Sequence, residues 1–202
     1  MLLEKNWKFL FLNFYILMDK INLWIIKQSF ASVVWTHKIH MKCADILESK
    51  NEKMKVWNFI LISLVLIGTI VQAKYPNCIW IDFINLVLAI SEFILLIFTL
   101  TFNYWELAVR HKNTAEALLI IRDSYLALIW DIINGRQINV EEKRDTIKER
   151  LDFVYKFAPP QVDGAYALAT KSLWINPATQ TWDYTYSDAE IDPFLPPSLR
   201  WI

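Results

Sequence analysis

The sequence predicts an all-α membrane protein, a two-helix transmembrane hairpin with long cytoplasmic helical extensions. Two apolar runs carry that prediction, VWNFILISLVLIGTIVQA at 56–73 and FINLVLAISEFILLIFTLTF at 83–102. Each is close to the roughly 20 residues that about 30 Å of hydrocarbon requires. Only KYPNCIWID separates them, with Pro76 and Asn77 as turn formers, so the spans must be antiparallel neighbours. The third observation is that the rest of the chain shows helical apolar spacing, no alternating strand pattern and no internal repeat.

Composition agrees and excludes other classes. Of the 202 residues 55% are hydrophobic and 15% aromatic, and mean hydropathy is +0.25, values a water-soluble domain rarely reaches. Basic and acidic residues balance at 21 each, which leaves no electrostatic footprint for nucleic acid. The three glycines, Gly68, Gly135 and Gly164, fall in no phosphate-cradling pattern.

Taken in order, residues 1–17 (MLLEKNWKFLFLNFYIL) hold an apolar stretch of only about eleven residues, too short to span. No small-residue cleavage site follows it, so a signal peptide fits poorly. The segment reads as an upstream extension from a misassigned start, with Met18 as initiator; an interfacial helix is the rival. Residues 18–55 contain no Pro or Gly and carry Leu23, Ile26, Phe30, Val33 and Val34 at helical spacing, which predicts an amphipathic helix leading into the hairpin at 56–102.

Beyond the hairpin, 103–176 is a helical region. Its first part continues from Phe83 without a breaker as far as Asn134-Gly135, which predicts one helix of roughly 75 Å. VEEKRDTIKERLDFVYKF then ends at Ala158-Pro159-Pro160, and VDGAYALATKSLWI ends at Asn176-Pro177. The tail, 177–202, carries Pro193, Pro196 and Pro197 and is expected to be extended. Lys38, Lys42, Lys50, Lys53 and Lys55 precede the first span, Arg110, Lys112 and Arg122 follow the second, and the connection holds only Lys74. The positive-inside rule therefore places both termini in the cytoplasm. Trp57, Tyr75 and Trp80 fall where an aromatic belt sits, and Cys43 and Cys78 lie on opposite sides, too far apart to pair.

The chemistry concentrates in the second span. Asn85, Glu92 and Thr99 recur every seven residues, and a helix drifts only about 20° per heptad, so they share one face. Asp82, Asn103 and Glu106 extend the line. An acid at mid-membrane costs roughly 2.5–3.5 kcal/mol and belongs against a partner or a water-filled cavity. Lining a pore is one reading of the stripe. The other is an inter-helix lock, with a protonated Glu92 bonded to Thr69, Gln72 or Ser63 of the first span.

Arg110 and Lys112, flanking His111, read as a basic anchor at the membrane edge. His37, His40 and Cys43 are three apart on a helix, which turns each about 60° from the last, so they do not converge on a metal. The EEKRD and KER runs read as a solvated helix face, Ser187 with Asp188 and Glu190 as a helix cap in preference to a docking motif, and Leu118, Leu119, Leu126 and Trp130 as helix packing. No catalytic constellation is present, no cofactor is expected, and the chain is not expected to be an enzyme.

In their order, VVWTHKIHMKCADILESK, the hairpin, ELAVRHKNTAEALLIIR, YKFAPPQVDGAYALATKSL and SDAEIDPFLPPSLR resemble the SMODS- and SLOG-associating two-transmembrane effector family, SLATT, from about Met18 onward. The resemblance implies an effector of the bacterial inner membrane, encoded beside a nucleotide second-messenger synthase, a nucleotide sensor or a reverse transcriptase. It further implies homo-oligomeric pores that permeabilise the bilayer on phage infection and kill or arrest the cell. A tether that recruits or restrains a cytosolic partner without conducting is the alternative, and polar residues at heptad spacing are what such a tether does not need.

Overall fold

The computed structural model describes residues 2–173, 186 and 188–200. Among the described residues there are helices and turns and no strand, as the predicted class requires. Six α-helices follow one another among the described residues: α1 (Leu2–Lys74), α2 (Ile79–Thr101), α3 (Tyr104–Ile133), α4 (Val140–Phe157), α5 (Ala165–Ser172) and α6 (Asp188–Ile191). Two 3-10 turns, Asp192–Phe194 and Pro197–Leu199, complete the order. The chain divides into two compact units, Met1–Lys42 with His111–Ile202, and Cys43–Arg110. Both α1 and α3 contribute residues to each.

The unit formed by the chain's two ends has a water-driven core. Ile26, Phe30, Val33 and Val34, four of the five residues of the predicted stripe, are buried in it, and Leu23 packs against it. From α3 come Leu118, Ile121, Tyr125, Leu128 and Ile129, and from α4 Ile147. Leu126 packs against the cluster and Leu119 is half-buried, whereas Trp130 is exposed and takes no place in it. The EEKRD and KER side chains lie on the outer face of α4, exposed except for the half-buried Arg144. Ala165 and Ala169 let α5 settle closely, while Trp35 of α1 meets Tyr166 edge to face at 5.3 Å.

Helix ends follow the local chemistry. At the end of α3 the Gly135 N–H bonds the Ile132 carbonyl and the Arg136 N–H the Asp131 carbonyl, a Schellman closure with Gly135 at φ 63°. Asn139 caps α4 by accepting from the Glu142 N–H at 3.2 Å. Gly164, at φ 81°, starts α5 three residues later than the predicted segment.

Two expectations change. The single helix predicted from Phe83 to Asn134 is interrupted at Phe102–Asn103. Asn103 Oδ1 accepts from the Glu106 N–H, and its Nδ2 donates to Glu106 Oε2, both at 3.1 Å. That reciprocal cap offers the backbone a local alternative to continuing the helix. The extended tail is corrected over its described part: 188–199 is helical turns, because Pro193 and Pro197 occupy starting positions of the 3-10 turns, where a missing N–H costs nothing. Ile191, Leu195 and Leu199, four residues apart, are each at most 2% exposed and belong to the core. The Gln28 amide brackets Tyr186, donating to its carbonyl and accepting from its N–H, each at 2.7 Å. Residues 177–185 and Ser187, with its proposed cap, lie outside the described residues.

Leu195→Ala should therefore destabilise the protein by about 2–5 kcal/mol, read as a lower midpoint of thermal unfolding in detergent. A tail that merely trailed from the core would leave that midpoint unchanged.

Candidate functional site

The unit Cys43–Arg110 is the hairpin. Its two helices are long and apolar enough to cross a membrane, and none of either apolar window is buried within the chain. Phe59, Ile79 and Leu100 are 73%, 80% and 75% exposed. Continuous apolar surface on this scale far exceeds what a soluble monomer shows to water, and lipid is its natural cover. The Tyr75 N–H bonds the Val71 carbonyl at 3.0 Å and the Cys78 N–H the Tyr75 carbonyl at 3.3 Å, closing the turn about Pro76–Asn77. Trp57, Tyr75 and Trp80 are exposed, as an aromatic belt would be.

Inside the spans the hydroxyls look after themselves. Ser63, Thr69, Ser91, Thr99 and Thr101 each donate to the carbonyl four residues earlier, at 2.8 Å. The amides of the spans instead bond across the seam between the two helices. Asn85 Nδ2 donates to Gln72 Oε1 at 3.0 Å and reaches Thr69 Oγ1 at 3.5 Å. Toward the other end Asn58 Nδ2 donates to Thr99 Oγ1 at 3.2 Å. Two members of the predicted stripe, Asn85 and Thr99, therefore bond the first span.

The close approach rests on Gly68, since a Cβ there would fall 2.5 Å from Asn85 Oδ1 and 3.1 Å from its Cγ. Small residues at such contacts let two helices meet where no hydrophobic force drives them together. Glu92, the third member, lies between these bonded levels in sequence and is only partly exposed. Its Oε2 is shielded from solvent and has no hydrogen-bond partner among the described residues; Asp82 Oδ1, Asn85 Oδ1 and Asn58 Oδ1 share that condition. All four are acceptors. Of the partners expected for Glu92, Thr69 and Gln72 instead accept from the Asn85 amide, and Ser63 donates to the Phe59 carbonyl.

Asn58 is the seam residue that sequence reasoning missed. Its signal was available: Asn58 and Thr69 are eleven residues apart, close to three full turns, so they share a face of the first span.

In the other unit the RHK run is not a uniform basic patch. His111 is fully buried, with Lys112 half-buried beside it. Arg110, which closes the hairpin unit, pairs with Glu106 at 2.7 Å in the open. His111 Nδ1 lies 2.8 Å from His40 Nδ1, their rings 5.0 Å apart and tilted by 40°. His37 Nδ1 donates to the Ala115 carbonyl at 2.9 Å. The two histidines thus turn to different partners on α3, and the described residues hold no group of three His, Cys, Asp or Glu placed to bind a metal.

A substitution cycle tests the seam. Gly68→Ala should displace the Asn85 amide and cost the hairpin about 0.6–2 kcal/mol, the worth of an interhelical hydrogen bond. Added to Asn85→Ala it should cost far less, and thermal stability of the four proteins in micelles measures the coupling. Simple additivity would show that Gly68 is not making room for Asn85.

A family model described as SMODS and SLOG-associating 2TM effector domain family 4 matches residues 23–190. Neither the curated proteins nor the solved structures yield a match.

Proposed function

The chain belongs to the SMODS and SLOG-associating 2TM effector domain family 4, and from that premise we propose a pore-forming membrane effector of a bacterial anti-phage defence system. It resides in the inner membrane with both termini cytoplasmic, as the lysine and arginine counts beside the spans favour. Several hairpins assemble, and a signal from a partner protein or a nucleotide opens them, killing or arresting the cell.

The observation that carries this reading is Glu92. Its Oε2 is shielded and unanswered inside its own hairpin, while the Ser63 and Ser91 hydroxyls are satisfied by carbonyls of their own helices. A carboxyl group in that position costs roughly 2.5–3.5 kcal/mol until a partner or water reaches it. A second hairpin, or a water-filled lumen lined by several, relieves that cost. A ring of Glu92 carboxylates then favours cations.

Asn85 and Thr99 take a different role, as locks that hold the resting hairpin through Gln72, Thr69 and Asn58. Bonds of this kind are worth about 0.6–2 kcal/mol each, so they resist opening without preventing it. Inverting a 1:99 population to 99:1 takes about 5.5 kcal/mol of preferential binding to the open form, which an activator with an ordinary interface can supply. Arg110 and Lys112 are assigned to the membrane edge, near anionic headgroups.

The same seam bonds favour the second reading, a non-conducting tether whose polar residues only join the two spans. Current across a planar bilayer containing the full chain and its candidate activator separates the two. Activator-dependent conductance that loses cation preference in Glu92→Gln is expected. Silence under every activating condition, with oligomers intact by crosslinking, would leave the tether.

A further inference from the structure

We propose that the His40–His111 contact is a proton-released clamp between α1 and α3, in which His111 holds its proton on Nδ1 and donates it to His40 Nδ1. The clamp belongs to the unit formed by the chain's two ends and does not depend on what the hairpin conducts. His40 lies two residues before α1 leaves that unit, and His111 is the residue at which α3 enters it.

The argument begins with the 2.8 Å separation of two ring nitrogens, which requires one N–H and one lone pair. His40 is 3% exposed and His111 not exposed at all, so neither ring is open to bulk water. His111 Nε2 has no hydrogen-bond partner among the described residues. A buried N–H without an acceptor is a rarer and costlier defect than a bare lone pair, which places the His111 proton on Nδ1 and leaves Nε2 empty.

Any added proton then does damage. On His111 it must sit on Nε2, as a buried donor without an acceptor. On His40 Nδ1 it sets two N–H groups against each other, unless His111 shifts its own proton to Nε2 and creates the same orphan. Every arrangement of one extra proton either breaks the contact or leaves a buried N–H on His111 Nε2 without an acceptor.

His40 faces His111 from α3 and His37 from α1, both bases, and His111 faces His40 in turn. Burial first, then those two neighbours, pushes His40 from 6.5 down to about 4, and burial lowers His111 as well. An open pair takes up protons near the ordinary histidine value, while in the closed pair His40 does so only near pH 4 and His111 below its ordinary value. The closed form is therefore fully favoured above about pH 6.5 and loses its advantage as the pH falls toward about 4. From His40 alone the opening constant should rise on the order of 30-fold between pH 7.5 and 5.0.

The test uses the full chain in lipid nanodiscs. Nitrogen-15 spectra of the imidazoles at pH 7.5 should show His111 protonated on Nδ1 only, and His40 on Nε2 only. A His111 protonated on Nε2, or charged at pH 6, would overturn the assignment. Amide exchange around His40 and His111, corrected for intrinsic rate, should lose roughly 30-fold of its protection between pH 7.5 and 5.0 in the wild type. His40→Asn and His111→Asn, which keep a polar atom near Nδ1 but do not titrate, should flatten that dependence. Constant wild-type protection, or an unchanged pH dependence in both variants, would refute the clamp, and the imidazole spectra of the wild type decide the matter if either variant fails to fold.

Discussion

Hydrocarbon supplies no hydrogen bonds, and the hairpin is organised by that constraint. Each polar atom in the spans must be answered by its own helix, by the other helix, or by something from outside. The serines and threonines take the first course, turning back onto carbonyls one turn earlier. The asparagines and Gln72 take the second, which is why they line up on facing sides and why a glycine sits where Asn85 must fit. Glu92 has neither course available. Its position is what turns a packing motif into a candidate site.

The unit built from the chain's two ends obeys different physics. Its helices are brought together by burial of Phe30, Leu118, Tyr125, Ile129 and their neighbours, an effect that vanishes between helices already in lipid. There an apolar residue is worth about 1.5–3 kcal/mol when buried, so three such residues on the tail are enough to make 191–199 part of the core. The short turns of that tail are too small to stand alone, and their conformation comes from docking.

Features that depend on period or on length were legible in the sequence. The two spans, the heptad line of Asn85, Glu92 and Thr99, and the core stripe of α1 each repeat a signal several times along the chain. Single-residue and long-range events were not. The break before α3 rests on one asparagine side chain finding one amide, in a stretch whose apolar spacing argues for continuity. Of the tail's prolines, read as marks of an extended segment, Pro193 and Pro197 instead start tight turns. The His40–His111 contact joins residues 71 apart, and neither histidine, seen from its own helix, points to the other. Asn58 stood in plain view but was overshadowed by the acid in the opposite span.

How Glu92 and the seam bonds balance bears on how this molecule could be both quiet and ready. Two amides anchor the seam, with interhelical bonds worth about 0.6–2 kcal/mol each; against them stands an acid whose placement costs roughly 2.5–3.5 kcal/mol while it goes unanswered. These quantities are similar in size and opposite in sign. In a hairpin so balanced the seam bonds hold the resting form with little margin over the unanswered acid. On the proposed reading, relief of Glu92 in an assembly favours the open form by an amount comparable with what the locks oppose. An activator then needs to supply only the difference, so the same stripe that makes the span expensive also makes it responsive.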